Sequence, residues 1–398
     1  MAQKLLTKEE ARELAEQAVK SKDKYVTTQE VLDSGAVPRL EGCRIRPGKV
    51  SDSIFGGKGS YEDKATGKTI EFENPPLCAD DGTPLRLMVR TTRISTHDKN
   101  RGDIPFKDQI VAMNHNHMRK MVRETIGTSQ LDVPGLEDNA VVIGAEDLTQ
   151  VLFENVLREY MAKSSTSTSL YMHFMKGERK FCGHKLPKDL IPNGRLPYMM
   201  DTPSTKSDDH DISVTPAELV KMGVCTRREY NQIIGSSIVA FGDVANFGEE
   251  KGLILVDTKT EHGKNKDGEI VSQDELYTLD SSRWWLLDDY NKQLEFIKAG
   301  DEKGLVAYLK ETQPGIKEKD YVVDGKVILC PRSYSKEFAR GFSVGDKLYT
   351  DDQRVEIAAR YIEAIQHLLG KRFEPDMRSR EERVVTGLQT VVDELVRH

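Results

Sequence analysis

Asp257, Lys259 and Glu261 alternate in the run LILVDTKTEHG. Successive side chains of a strand point to opposite faces, so these three share one face. Two carboxylates flanking a lysine at the end of an apolar strand are costly to bury unless something pairs with them. A divalent cation with phosphate oxygens would pair with them; the plain alternative is a salt-bridged strand end at the surface. Asp274 and Glu275 follow after a short loop, then Asp280-Ser281-Ser282-Arg283. A strand–turn–strand return predicts Glu275 beside Glu261. That supplies paired oxygen ligands of the kind Mg²⁺ takes together with waters and substrate phosphates.

Three further groups bear on anions. Arg158 ends a strand-like run, and Ser164 and Ser165 follow it, a set able to cradle a phosphate or carboxylate. The alternative is a basic edge with an ordinary Ser/Thr loop. Gly48-Lys49-Val50-Ser51-Asp52 lies between two probable strands. There a glycine lets backbone amides approach an anion and a lysine adds compact positive charge, and a turn with a solvated lysine is the alternative. Gly67-Lys68-Thr69 resembles the end of a phosphate-binding loop, but Glu62 stands where that pattern wants glycine and a strand-like TIEFE follows, so a hairpin turn is expected. His115 and His117 fall in a probable helix, where their side chains diverge, and read as helix residues rather than metal ligands. Trp284 and Trp285 read as core anchors, and no Ser/His/Asp or Cys/His nucleophile arrangement stands out.

The elements that must position these groups are legible in part. Residues 7–20 read as a helix with a Thr7/Glu10 capping box. Residues 42–95 read as strands and hairpins. A helix is expected over 108–124, then strands at 140–144 and 151–158. The proline-bearing stretch 183–212 reads as irregular. Pro216 opens one helix after Thr215, and Thr226/Glu229 caps a longer one. LILVD at 253–257 reads as a buried strand. Thr350/Gln353 opens a helix that Gly370 stops, and Ser379/Glu382 opens the last. Strands first, then alternating strands and helices, predict an α+β or α/β fold with a β-rich N-terminal lobe.

At 398 residues the chain has room for two or three domains, or for one large α/β unit with additions. With 37% hydrophobic and 31% charged residues it has a globular balance, and its net charge of −7 does not suit coating nucleic acid or an anionic membrane. No run approaches the ~20 apolar residues of a bilayer span, and the N-terminus lacks the apolar core of a secretory signal. The five cysteines are scattered without a C-x-x-C pair, as in a reducing compartment. A cytoplasmic protein is expected. The residues fit a monomer and a homo-oligomer equally.

Seven stretches in order resemble the SAICAR synthetase family: GKVSD (48–52), TTRISTHD with GDIPFKDQI (91–98, 102–110), LREYMAKSS (157–165), CGHKLP (182–187), TPSTKSDDHD (202–211), GLILVDTKTEHG (252–263) and DELYTLDSSRWW (274–285). The resemblance implies a β-rich N-terminal lobe and an ATP-grasp-like α/β lobe with the nucleotide cleft between them, plus extra helices at both termini. The expected divisions are 1–40, 41–150, 151–349 and 350–398. It also implies ATP- and Mg²⁺-dependent joining of L-aspartate to the carboxylate of carboxyaminoimidazole ribonucleotide through an acyl phosphate. The products are SAICAR, ADP and phosphate, in purine biosynthesis.

Carried onto matching positions, the resemblance implies that Gly48, Lys49 and Lys206 meet ATP phosphates, with Glu261 beside them. Glu261 and Glu275 would hold Mg²⁺. Arg158, Ser164 and Arg283 would bind the nucleotide substrate, and Asp98 the aspartate. Asp257 and Lys259 would face the reacting centre. Two positions depart from the family's usual pattern. Ser51 replaces a second basic residue, for which Lys58 is a candidate substitute, and Lys163 stands where glycine is usual. Two alternatives stand beside the ligase: a nucleotide-binding regulatory protein of the same fold without turnover, and an ATP-grasp-like ligase or kinase acting on another acid and amine.

Overall fold

The computed structural model describes residues 4–21, 25–63, 68–74, 77–96, 99–206 and 211–397. The N-terminal lobe is built on a four-stranded antiparallel sheet in the order Arg44–Pro47, Ser51–Phe55, Leu85–Arg90, Val142–Glu146. The first two strands are joined by the Gly48-Lys49-Val50 turn. Gly48 is required there, because a Cβ would sit 2.2 Å from the Ser51 carbonyl oxygen. A hairpin of Gly57–Asp63 and Lys68–Asn74 stands apart from this sheet; the expected turn at position 67 and the side chain of Lys58 lie outside the described residues.

One face of the sheet, with Ile45, Ile54, Leu87 and Val89, is covered by the last helix, Arg380–Leu395, through Val384, Leu388, Val391 and Val392. The other C-terminal helix, Asp351–Leu369, packs with the N-terminal helix Lys8–Lys20 instead. The two C-terminal helices therefore serve different cores. Chain order alone gives no sign of this, since each has an ordinary amphipathic pattern.

The second lobe carries a seven-stranded sheet around one long strand, Leu253–Lys264. The run expected to end at Asp257 continues to Lys264, because Ile270–Gln273 and Thr149–Gln150 pair with its far half. Phe153–Tyr160 lies on one side of it and Ser282–Leu286 on the other. Within 183–212, expected to be irregular, Arg195–Asp201 forms a strand despite Pro197. It is the outermost strand of the sheet and its register shifts between Arg158 and Tyr160, a place where proline is tolerated. The helix Arg227–Glu250 packs on the long strand. Trp284 is fully buried beneath it, and at Gly248 a Cβ would lie 2.6 Å from the indole.

Candidate active site

Antiparallel register brings the sequence-distant charges together. Asp257 lies opposite Arg158 on one neighbouring strand and opposite Arg283 on the other. Arg158 Nη1 donates to Asp257 Oδ2 at 2.8 Å and its Nε to Thr202 Oγ1 at 2.9 Å. Arg283 Nε is 3.5 Å from Asp257 Oδ1 and 3.9 Å from Glu337. One carboxylate thus holds two buried guanidiniums. Burial pushes Arg158 below the ordinary arginine value despite Asp257. At Arg283 burial pulls down, but Asp257 and Glu337 outweigh it. Arg283 Nη1 is buried and makes no hydrogen bond among the described residues. A buried donor left open in this way suits an anion.

Further along the same face, charges alternate. Lys259 Nζ donates to Glu154 at 2.5 Å and lies 3.5 Å from Glu261, which also pairs with Lys206. Burial alone would lower Lys259, but Glu154 and Glu261 hold it above the ordinary lysine value. Burial likewise favours the neutral form of Glu261, and Lys259 and Lys206 outweigh it. Glu154 and Lys259 line a cleft of about 180 Å³ together with Arg158, Asp257, Asp280, Arg283, Lys336 and Arg340.

The expected Glu261–Glu275 pair is not what the register gives. Gln273 lies opposite Glu261, and Asp274 follows with a left-handed backbone, φ 64°. Burial first, and the charge of Glu261 second, push Asp274 above the usual carboxylate range. Glu275 turns instead to Arg90 of the N-terminal sheet at 3.2 Å and to Thr278 Oγ1 at 2.6 Å. Two neighbouring half-buried carboxylates, Glu261 and Asp274, fit a divalent cation that also takes phosphate oxygens and waters. Among the described residues no group of three or more His, Cys, Asp or Glu side chains is arranged as a metal cage.

Other expected residues sit apart from the cleft lining. Lys49 is exposed on its turn, whose Gly48 carbonyl accepts from Arg93 at 2.8 Å. Ser51 lies opposite Arg90 in the sheet. Ser164 Oγ is 3.2 Å from Thr166 Oγ1 in the loop after the Arg158 strand, and Thr168 of that loop reaches the cleft. Asp98 lies outside the described residues. His115 is buried, its Nδ1 accepting from the Leu276 amide at 3.1 Å. Sequence reading missed Lys336 and Arg340. Their four-residue spacing within SKEFAR was a signal, but nothing in the sequence ties that segment to Arg283.

Residues 79–306, more than half of the 398, match the SAICAR synthetase family. The chain belongs to that family. It is 34% identical over 215 residues to the chloroplastic phosphoribosylaminoimidazole-succinocarboxamide synthase of Arabidopsis thaliana, covering 54% of this chain and 51% of the plant protein. The chain thus spans about half the length of that relative. A putative synthase of the same kind from Agrobacterium fabrum is 29% identical over 294 residues, covering 73% of this chain and 84% of that one. In fold, the chain is similar to the SAICAR synthase of Saccharomyces cerevisiae solved with SAICAR, with TM-score 0.60 and 20% identity, covering 89% of this chain and all of that one. The SAICAR synthetase match takes in the strands that carry Arg158, Asp257, Lys259, Glu261 and Arg283. No helix among the described residues is long and apolar enough to cross a membrane.

Proposed function

We propose that the chain joins L-aspartate to the carboxylate of carboxyaminoimidazole ribonucleotide at the expense of ATP, giving SAICAR, ADP and phosphate. The observation that carries this reading is the cross-strand trio Arg158–Asp257–Arg283, set with Lys259 in one cleft, with Glu261 paired to Lys259 at its edge, in a chain of this family. A carboxylate is a poor acyl donor because oxide would have to leave. Its oxygen therefore attacks the γ-phosphorus, ADP departs, and the resulting acyl phosphate has phosphate as its leaving group. The aspartate amine then attacks the acyl carbon. Such chemistry asks the protein mainly to position anions and to neutralise charge on the transferring group.

In this reading Arg158 and Arg283 grip the ribose phosphate, with Asp257 fixing both guanidiniums and Ser164 shaping the adjoining loop. Lys259, held cationic by Glu154 and Glu261, faces the reacting carboxylate. Gly48, Lys49 and Lys206 serve the ATP phosphates, and Asp98 the aspartate. Mg²⁺ would be held by Glu261 with Asp274 and would neutralise phosphate charge; Glu275 is already committed to Arg90. Lys163 does not block the cleft, because its ammonium turns to the carbonyls of Lys319 and Asp320. The described cysteines are all free, which supports a reducing, cytoplasmic setting. The test is ADP release with the carboxylated nucleotide and L-aspartate or other amines. Release that depends on aspartate is expected; release with another amine, or none at all, would refute the reading.

A further inference from the structure

Between Arg283 and Lys336 the chain detours through the helices Leu287–Ala299 and Glu302–Thr312, a short turn Glu318–Tyr321 and a small hairpin. None of these elements contributes a residue to the cleft lining. The detour nevertheless holds both segments that flank the sugar-phosphate side of the cleft.

The first contact is centred on Asp289, whose side chain is fully buried. Its carboxylate accepts four hydrogen bonds: Gln293 Nε2 at 2.8 Å, Tyr308 Oη at 2.9 Å, the Arg332 amide at 2.8 Å and Arg332 Nε at 3.1 Å. Gln293 also clasps Cys330 from both sides, donating to its carbonyl at 3.1 Å and accepting from its amide at 2.7 Å. Gln313 donates to that carbonyl at 2.7 Å. Residues 330–332 are therefore bolted in place, and Ser335, Lys336, Glu337 and Arg340 enter the cleft wall directly after them.

The second contact is Lys163. Its ammonium donates to the carbonyls of Lys319 at 2.5 Å and Asp320 at 3.1 Å. Its own amide donates to Asn193 Oδ1 at 2.6 Å, and Asn193 Nδ2 donates to the Leu329 carbonyl at 2.7 Å. This loop runs on to Thr168, whose carbonyl accepts from Arg158 at 3.4 Å.

We infer that the detour 287–331 is a brace that sets the spacing of the two walls of the nucleotide-acid subsite, with Asp289 and Lys163 as positioning residues that touch no substrate. The inference rests on the subsite assignment proposed above. Asp289 does not fit a purely stabilising role well. A carboxylate buried this completely is costly unless every lone pair is used, and an apolar side chain would stabilise the helix pair at least as well. What the carboxylate adds is direction, because it fixes the Arg332 backbone and side chain at once.

The test uses the full chain carrying Asp289→Asn or, separately, Lys163→Met. Steady-state kinetics are read beside amide hydrogen exchange of peptides spanning 161–169 and 328–341. An asparagine cannot accept all four bonds, so Asp289→Asn is expected to speed exchange in 328–341. It should raise KM for the nucleotide acid about tenfold or more while KM for ATP stays within about twofold. Lys163→Met is expected to loosen 161–169 with the same split between the two KM values, and it keeps the test alive if Asp289→Asn fails to fold. Equal rises in KM for all substrates, or unchanged exchange and KM in both variants, would overturn the brace. Exchange reads the brace without turnover. A wild-type chain that ligates no amine would therefore refute the function, while exchange would still show whether Asp289 and Lys163 hold the two cleft walls.

Discussion

The cleft works through single charges whose neighbours fix their protonation and aim. Glu261 is the residue on which Lys259 and Lys206 converge. Glu261→Gln keeps the shape and removes the charge, and should abolish ADP release with an unchanged circular dichroism spectrum. Near-normal turnover would remove Glu261 from the phosphate and metal machinery. Arg283 offers the cleaner probe of the proposed sugar-phosphate end. Removing Arg158 would leave Asp257 short of its closest partner, a loss worth about 3–5 kcal/mol for a buried pair. Among the described residues the ion pairs of Arg283 are the longer ones to Asp257 and Glu337. Arg283→Ala should raise KM for the nucleotide far more than KM for ATP, with binding of each measured separately; an equal rise in both would contradict the anchor role.

Elements place these charges, and their legibility varied with the range of the forces involved. The caps at Thr7, Thr215, Thr226, Thr350 and Ser379 all form as expected, because a capping box is decided within four residues. The shared face of Asp257, Lys259 and Glu261 was legible for the same reason. Which acidic residue meets Glu261 was not, because a one-residue change of register exchanges the faces of a strand. The placement of Lys336 depends on a brace tens of residues long, and that of the last helix on which sheet needed covering. The helix Arg227–Glu250 allows a paired test of packing against propensity. At Gly235 a Cβ meets nothing within 4 Å, whereas at Gly248 it would press on Trp284 at 2.6 Å. Gly235→Ala should stabilise the protein by up to about 1 kcal/mol. Gly248→Ala should lose about 1–3 kcal/mol to overpacking, more than the helix gain returns. Urea denaturation of both variants checks this, and two shifts of the same sign would refute the packing account.

At the scale of the molecule, the two lobes meet on the loop 274–281. Arg90 holds Glu275, Lys107 holds Asp280 at 2.7 Å, and Asn114 and His115 accept from the amides of Leu279 and Leu276. His115 serves as an acceptor only while its Nδ1 carries no proton, and burial pushes it well below the ordinary histidine value. His262, on the long strand, is buried too, and burial, against the weaker pull of Glu261, lowers it to about 4. In the unfolded chain each histidine takes up its proton near pH ~6.5. Between there and about 4 the unfolded state binds more protons than the folded one, so stability must fall as pH falls through that window and is fully present above it. His184 acts in the opposite sense. Its hydrogen bond to Asp201 outweighs burial and raises it, so its contribution is present at lower pH and fades as pH rises through its raised value. The informative quantity is therefore the difference between wild type and His262→Gln, measured by urea unfolding at pH 7 and pH 5. The variant should lose on the order of 1–2 kcal/mol less than wild type between those pH values. Equal losses would mean that the protonation of His262 does not differ between the folded and unfolded chains.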